Sequence, residues 1–163
     1  MKIPSSLISG FSGAIALTFL HQVFRKTVKN APRMDRLGEQ AIQKIIGSTG
    51  HEVPSKDRLF KVTMAGDIAG NAMYYSMVGA LPVNPVVTGA TLGIAAGLGA
   101  LLLPEPLGLD EKYSNATTKT QVLTVAIYLA GGIVAGLVQR QLKKKKTLVE
   151  RIRAEIPEEL AAH

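Results

Sequence analysis

Four long apolar stretches alternate with polar ones along this chain, and their lengths set the first expectation. Each block approaches the ~20 residues that an α-helix needs to cross a bilayer. They are Pro4–Phe24, Phe60–Leu81, Val86–Leu103 and Gln121–Val138, the last extended by helix-compatible flanks to 119–140. Prolines mark the breaks. Pro82 and Pro85 close a tight hairpin between the second and third blocks, because each removes a backbone donor and restricts its predecessor. Pro104 and Pro106 stop the third block, and the polar loop "PEPLGLDEKYSNATTKT" follows.

The connection between the first two blocks has a different period. In "PRMDRLGEQAIQKIIG", Met34, Leu37, Ala41, Ile42, Ile45 and Ile46 fall on one side of a helix and charged or amide residues on the other. That spacing predicts an amphipathic helix over 32–46, with Pro32 in its first turn and Gly47 at its stop. It suits either the membrane interface or a cap on the loops. After the fourth block the charge-rich 141–156 reads as a continuing basic helical tail. The expected fold is therefore all-α: a single 1–163 domain, a multi-pass integral membrane bundle of four transmembrane helices plus one amphipathic interfacial helix.

Composition adjusts that picture. The chain of 163 residues is 47% hydrophobic, with 16 glycines and no tryptophan. Small residues recur where membrane helices pack closely. Gly66 and Gly70, then Gly89, Gly93 and Gly97, then Gly132 and Gly136 each repeat at four-residue spacing, so each set is expected to admit a neighbouring helix. Such strips suit packing within one bundle, a homo-oligomer or contact with other membrane subunits. Cysteine is absent, which removes disulfides and thiolate metal sites. The N-terminal segment has no small-x-small cleavage site after its apolar run and is expected to be retained as a helix.

The net charge of +7 raises the question of an anionic partner. The cations flank apolar blocks and lack interleaved aromatics, so anionic lipid headgroups fit better than nucleic acid. Lys143, Lys144, Lys145 and Lys146 are the expected headgroup anchors. Orientation is less decided. Four crossings put eight cations on the side of the termini and eleven opposite. If the second or third block fails to cross, sixteen stand against three, which suits the positive-inside rule far better. Mixed orientation in an antiparallel dimer is the third arrangement. Four crossings remain the expectation, because a non-crossing apolar block needs another burial site. The termini are then both cytoplasmic, in a bacterial inner membrane.

Chemistry-bearing residues inside the blocks are few. Asp67 and Asn71 share a helical face within the second block. Counting depth from the block ends puts His21, Gln22, Asp67, Asn71, Thr124 and Tyr128 at one level, in one half of the membrane. Two roles are open to this set. It can form a polar site that relays protons through a His–Asp pair or binds a small polar ligand. Alternatively Asp67 bonds His21, Arg25 or a backbone group and pins two helices together. No P-loop, zincin motif, nucleophile elbow or metal-ligand spacing is present, so no cofactor is expected and an integral membrane enzyme ranks third among the functional readings. "NAT" at 115–117 matches the glycosylation pattern, which matters only in a secretory setting. The leading functional expectation is a structural or accessory subunit of a membrane assembly. The alternative is a small transporter or proton-coupled carrier.

Overall fold

A computed structural model of the protein describes residues 4–155. Every regular element among them is helical: α1 (Ser5–Thr27), α2 (Met34–Ser48), α3 (Lys56–Ser76), α4 (Pro85–Leu102), the short α5 (Lys112–Asn115) and α6 (Thr118–Glu155). A 3-10 turn, Met77–Gly79, continues α3 towards the hairpin. Residue 156, the expected end of the tail, lies outside the described residues.

Long helices α1, α3, α4 and α6 pack side by side. At one end Arg25 of α1 stands over the ring of Phe60 in α3, and at the other Gly10 lies against Ala72 and Ser76. These two helices are therefore antiparallel over most of their length. Helix α6 runs antiparallel to α1, with Gly131 beside Gly13 and Gln139 bonded to Ser9 at 3.0 Å. It is also antiparallel to α4, where Gly132, Leu129 and Val125 meet Gly89, Gly93 and Gly97 in turn.

Close approach makes glycine necessary at this α4–α6 seam. A Cβ built on Gly132 would collide with the Gly89 carbonyl oxygen, and one on Gly136 with that of Pro85. The centre is filled by Leu17, Tyr75, Val78, Ile127, Tyr128 and Ala135. Tyr75 is fully buried and its hydroxyl donates to the Tyr128 carbonyl at 2.6 Å, which satisfies its polar tip inside an apolar centre. The bundle's outside is apolar too: Phe11, Ile15, Phe19, Met73, Val87, Ile94 and Val122 are all exposed.

Three helices are long and apolar enough to cross a bilayer: α1, α4 and α6. Helix α3 does not reach that standard by composition, although four such spans were expected. It starts at Lys56, so Asp57, Arg58 and Lys61 form its first turns, and Asp67 and Asn71 follow. Two further expectations also need adjusting. Pro32 precedes α2, whose N-cap is Arg33, so it lies outside the first turn. Gly47 sits inside that helix, and the left-handed backbone that ends it belongs to Gly50, with φ of 74°.

Helix α2 covers the end of the α1–α3 pair. Leu37 is buried there, and a Cβ on Gly38 would come within 2.6 Å of the Thr63 methyl. Polar ties hold it from several directions. Arg33 N–H donates to the Tyr113 carbonyl at 2.7 Å, Asp110 N–H to Gln40 at 2.9 Å, and Lys44 to the Leu107 carbonyl at 2.6 Å.

A cavity between three helices as the candidate site

Two polar stripes face each other beneath α2. On α1, Thr18, His21, Gln22 and Arg25 follow one another at three- and four-residue steps, so they share a face. On α3, Thr63, Asp67 and Asn71 do the same at four-residue steps. Between them lies a cavity of about 260 Å³, with α2 as its roof through Asp35, Gly38 and Ile42. Gly66, itself exposed, stands at its rim.

Satisfaction of the polar groups here is incomplete. Three buried side-chain atoms among the described residues have no hydrogen-bond partner: Thr18 Oγ1, His21 Nε2 and Thr63 Oγ1. All three belong to residues lining this one cavity. An orphaned buried polar group costs about 1–3 kcal/mol, so a cluster of them is not what packing alone selects. The space is wide enough for several waters or a small solute, which would satisfy them.

Asp67 is bonded within its own helix, with the Thr18 hydroxyl of α1 nearby. Asn71 Nδ2 donates to its Oδ1 at 3.0 Å and to its backbone carbonyl at 2.9 Å. No ion pair to Asp67 forms among the described residues, and neither His21 nor Arg25 bonds it. Arg25 is turned to Asp35 instead, at 2.8 Å. Neither of the two side-chain pins considered for Asp67, to His21 or to Arg25, forms.

The ionic pin lies one turn higher. Asp35 receives both Arg25 and, in a two-point contact at 2.9 and 3.0 Å, Arg33. Burial alone would raise its carboxyl, but the hydrogen bonds and charges of the two guanidinium groups outweigh that and hold it below the usual carboxylate range. Hydrogen bonding to Asp35 likewise raises Arg33. Sequence reading put Asp35 on the exposed face of α2 and missed this role. Thr18 and Thr63 were missed as well, though their spacing to His21 and Asp67 was the available signal.

The six residues expected at one level divide into groups. His21, Gln22 and Asp67 line the cavity, and Asn71 is bonded to Asp67. Gln22 reaches the Met64 sulfur at 3.8 Å. Tyr128 touches His21 edge-to-face, with centroids 5.7 Å apart, but lies behind the cavity wall. Thr124 turns away altogether, its hydroxyl within 3.0 Å of the Ser114 carbonyl and 2.8 Å of the Thr120 carbonyl. Depth alone could not give its rotation about the α6 axis.

Expected packing glycines divide too. Gly89, Gly93, Gly97, Gly132 and Gly136 each touch a neighbouring helix. Gly66 and Gly70 do not: a Cβ on either would meet nothing within 4 Å. Helix α3 turns Thr63 and Tyr75 inward, which leaves Gly70 exposed on its flank and Gly66 at the cavity rim.

Below Asp67 the cavity ends blind. Gly10 against Ala72 and Ser76 seals the α1–α3 contact, and Tyr75 fills the space beside Gly13 and Gly131. Among the described residues no cluster of histidine and carboxylates is suited to a metal ion. No protein-family model matches the chain, and no curated protein or solved structure does either.

Proposed function

We propose that this chain is a small four-crossing membrane protein, and that its cavity is the solute or proton site of a small carrier, with Asp67 as the group that binds the proton or cation. The observation that carries this reading is the state of Asp67. It is a carboxylate inside a helical bundle, facing a cavity, without a cationic partner among the described residues, bonded to Asn71 and with the Thr18 hydroxyl of α1 nearby. Intramembrane carboxylates of that kind mark ion or proton paths more than they mark packing. The two threonine hydroxyls and the His21 ring nitrogen add neutral groups that can share a proton or bind a small cation's hydration shell.

Packing rather than composition supports the fourth crossing. Helix α3 lies along α1 from Phe60 to Ser76, so if α1 crosses, α3 crosses beside it. Its cations Lys56, Arg58 and Lys61 all fall in the first turns, at the level of Arg25. From Val62 to Gly79 the helix and its 3-10 turn carry a single ionisable carboxylate and span ~28 Å, at 1.5 Å per α-helical and 2 Å per 3-10 residue. Both termini then share a side, which we place in the cytoplasm.

With α2 over the cavity and the α1–α3 contact closing it below, passage through the bundle requires a second state. The test uses the full chain in proteoliposomes with an imposed membrane potential and a lumenal pH dye. Proton uptake is expected with the native chain and none with Asp67→Asn, while the thermal midpoint in detergent stays unchanged. Equal uptake by both, or parallel loss of uptake and stability, contradicts the carrier reading.

A second reading, a subunit of a larger membrane assembly, draws on the outer face of α3. There Ala65, Gly66, Ala69 and Gly70 form a smooth exposed surface within the apolar zone. Co-purification of other proteins in mild detergent, lost with Gly70→Leu, would favour it.

A further inference from the structure

Helix α6 outlasts its partner. The face that covers α4 carries Val125, Leu129, Gly132 and Gly136, and α4 ends at Pro85 opposite Gly136. The same stripe continues at helical spacing as Arg140, Lys143, Lys144, Thr147 and Arg151. So the face changes from small and apolar to cationic at the point where its neighbour stops. A groove of about 400 Å³ lies there, lined by Pro85 and by Arg140, Lys143, Lys144 and Arg151.

Three features decide what fits. None of these four cations makes an ion pair with any side chain of residues 4–153, and the groove has no acidic lining residue. Lys146, by contrast, is on another face and approaches Glu150 at 3.8 Å, while Lys145 does not line the groove. The expected anchor of four consecutive lysines therefore divides, two on the groove and two off it. Second, the groove stands at the end of the bundle's apolar zone, the depth of phospholipid phosphates. Third, Asn84 already caps the Val86 N–H at 3.0 Å, so an anion here would be held chiefly by side-chain cations, with the α4 dipole adding attraction.

We infer that this groove is a specific site for an anionic phospholipid whose phosphate carries more than one charge, clasped between Arg140 and Arg151 with Lys143 and Lys144 beside it. Arginine provides the planar two-point contact to phosphate and lysine the point charge. The acyl chains would lie along the exposed apolar side of α4, near Val87. The inference rests on the bundle lying in a bilayer and not on the role of the cavity.

Native mass spectrometry of the full chain in detergent tests it, with dioleoyl phosphatidate and dioleoyl phosphatidylcholine supplied at equal concentration. Phosphatidate is expected to bind about tenfold more tightly, and the double change Arg140→Gln, Arg151→Gln to remove most of that preference. The double change Lys145→Gln, Lys146→Gln removes equal charge and should leave the preference intact. Both pairs are exposed, so neither change disturbs the bundle. Equal losses in the two double variants would mean diffuse attraction, and no preference would mean no site. Displacement of the lipid by inorganic phosphate would assign the groove to a free anion, and displacement by a single-stranded oligonucleotide to nucleic acid. Any of these four results overturns the inference.

Discussion

The contact of α6 with α4 and the upper contact of α1 with α3 are built on opposite terms. In the first, glycines bring two backbones so close that no Cβ fits between them, and no buried side-chain polar atom among the described residues is left unmatched at the seam. In the second, a cavity with a largely apolar wall separates the helices, and the three unsatisfied buried atoms collect there. In lipid, where apolar burial gives little drive for helix association, dispersion at close range holds a bundle together. The seam therefore supplies cohesion. The cavity forgoes it, and a region that forgoes cohesion while keeping unmatched polar groups is where a ligand can supply the missing contacts.

The largest break in this contrast comes at the seam. Gly132→Leu forces a side chain into the Gly89 backbone, which cannot move aside as a flexible side chain would. A loss of ~3 kcal/mol or more is expected, enough to deplete the folded protein. Gly66→Leu puts the same side chain into open space and should leave the thermal midpoint nearly unchanged. Comparable destabilisation by the two would erase the distinction between the regions.

A smaller effect is expected at the roof of the cavity. Asp35→Asn removes the charge that holds Arg25 and Arg33, at an expected cost of about 2 kcal/mol. Because those arginines are partly exposed and can turn to water, the loss should be local to α2. Hydrogen exchange across Met34–Ser48 would read it as faster exchange there, with α4 and α6 unaffected. The pH dependence has a definite sign. Asp35 in the folded chain lies below its unfolded value, so its contribution is complete above roughly pH 4, the ordinary carboxylate range, and fades as pH falls through the folded value. Acid should therefore release α2 in the native chain, and the release should lose its pH dependence in Asp35→Asn.

These effects bear on how much the sequence could reveal. Proline positions and the length of apolar runs made the helices legible, because both act locally. The amphipathic period of α2 was legible for the same reason. What stayed hidden was rotation about each helix axis. Repeats of Gly at four-residue spacing look alike at 66 and 70 and at 132 and 136, yet only the second pair meets a partner. Depth counting put Thr124 level with His21 without showing that its hydroxyl serves Ser114. Asp35 looked like a solvated charge because its arginines, Arg25 and Arg33, come together with it only once α1 and α2 have docked.

The smallest expected effect is the most diagnostic for the cavity wall. Thr63→Val keeps the shape and removes an unmatched hydroxyl, so stability should hold or rise by up to about 1 kcal/mol. A clear loss would mean that the hydroxyl has a partner in the working protein, such as an ordered water or the solute. The same substitution should lower proton uptake if Thr63 helps bind what the cavity takes.

Everything said of the cavity as an intramembrane site depends on α3 crossing beside α1, and the cysteine-free sequence allows that to be measured directly. Single cysteines at Ser48, Val83, Glu105 and Lys145, all exposed, would be challenged with an impermeant maleimide in intact and then in broken cells. Four crossings predict that 48 and 105 label from one side, and 83 and 145 from the other. Labelling of 83 together with 48 and 145, opposite 105, would mean that α3 stays out of the bilayer. That result would favour the sixteen-to-three charge arrangement over the packed bundle and contradict the account.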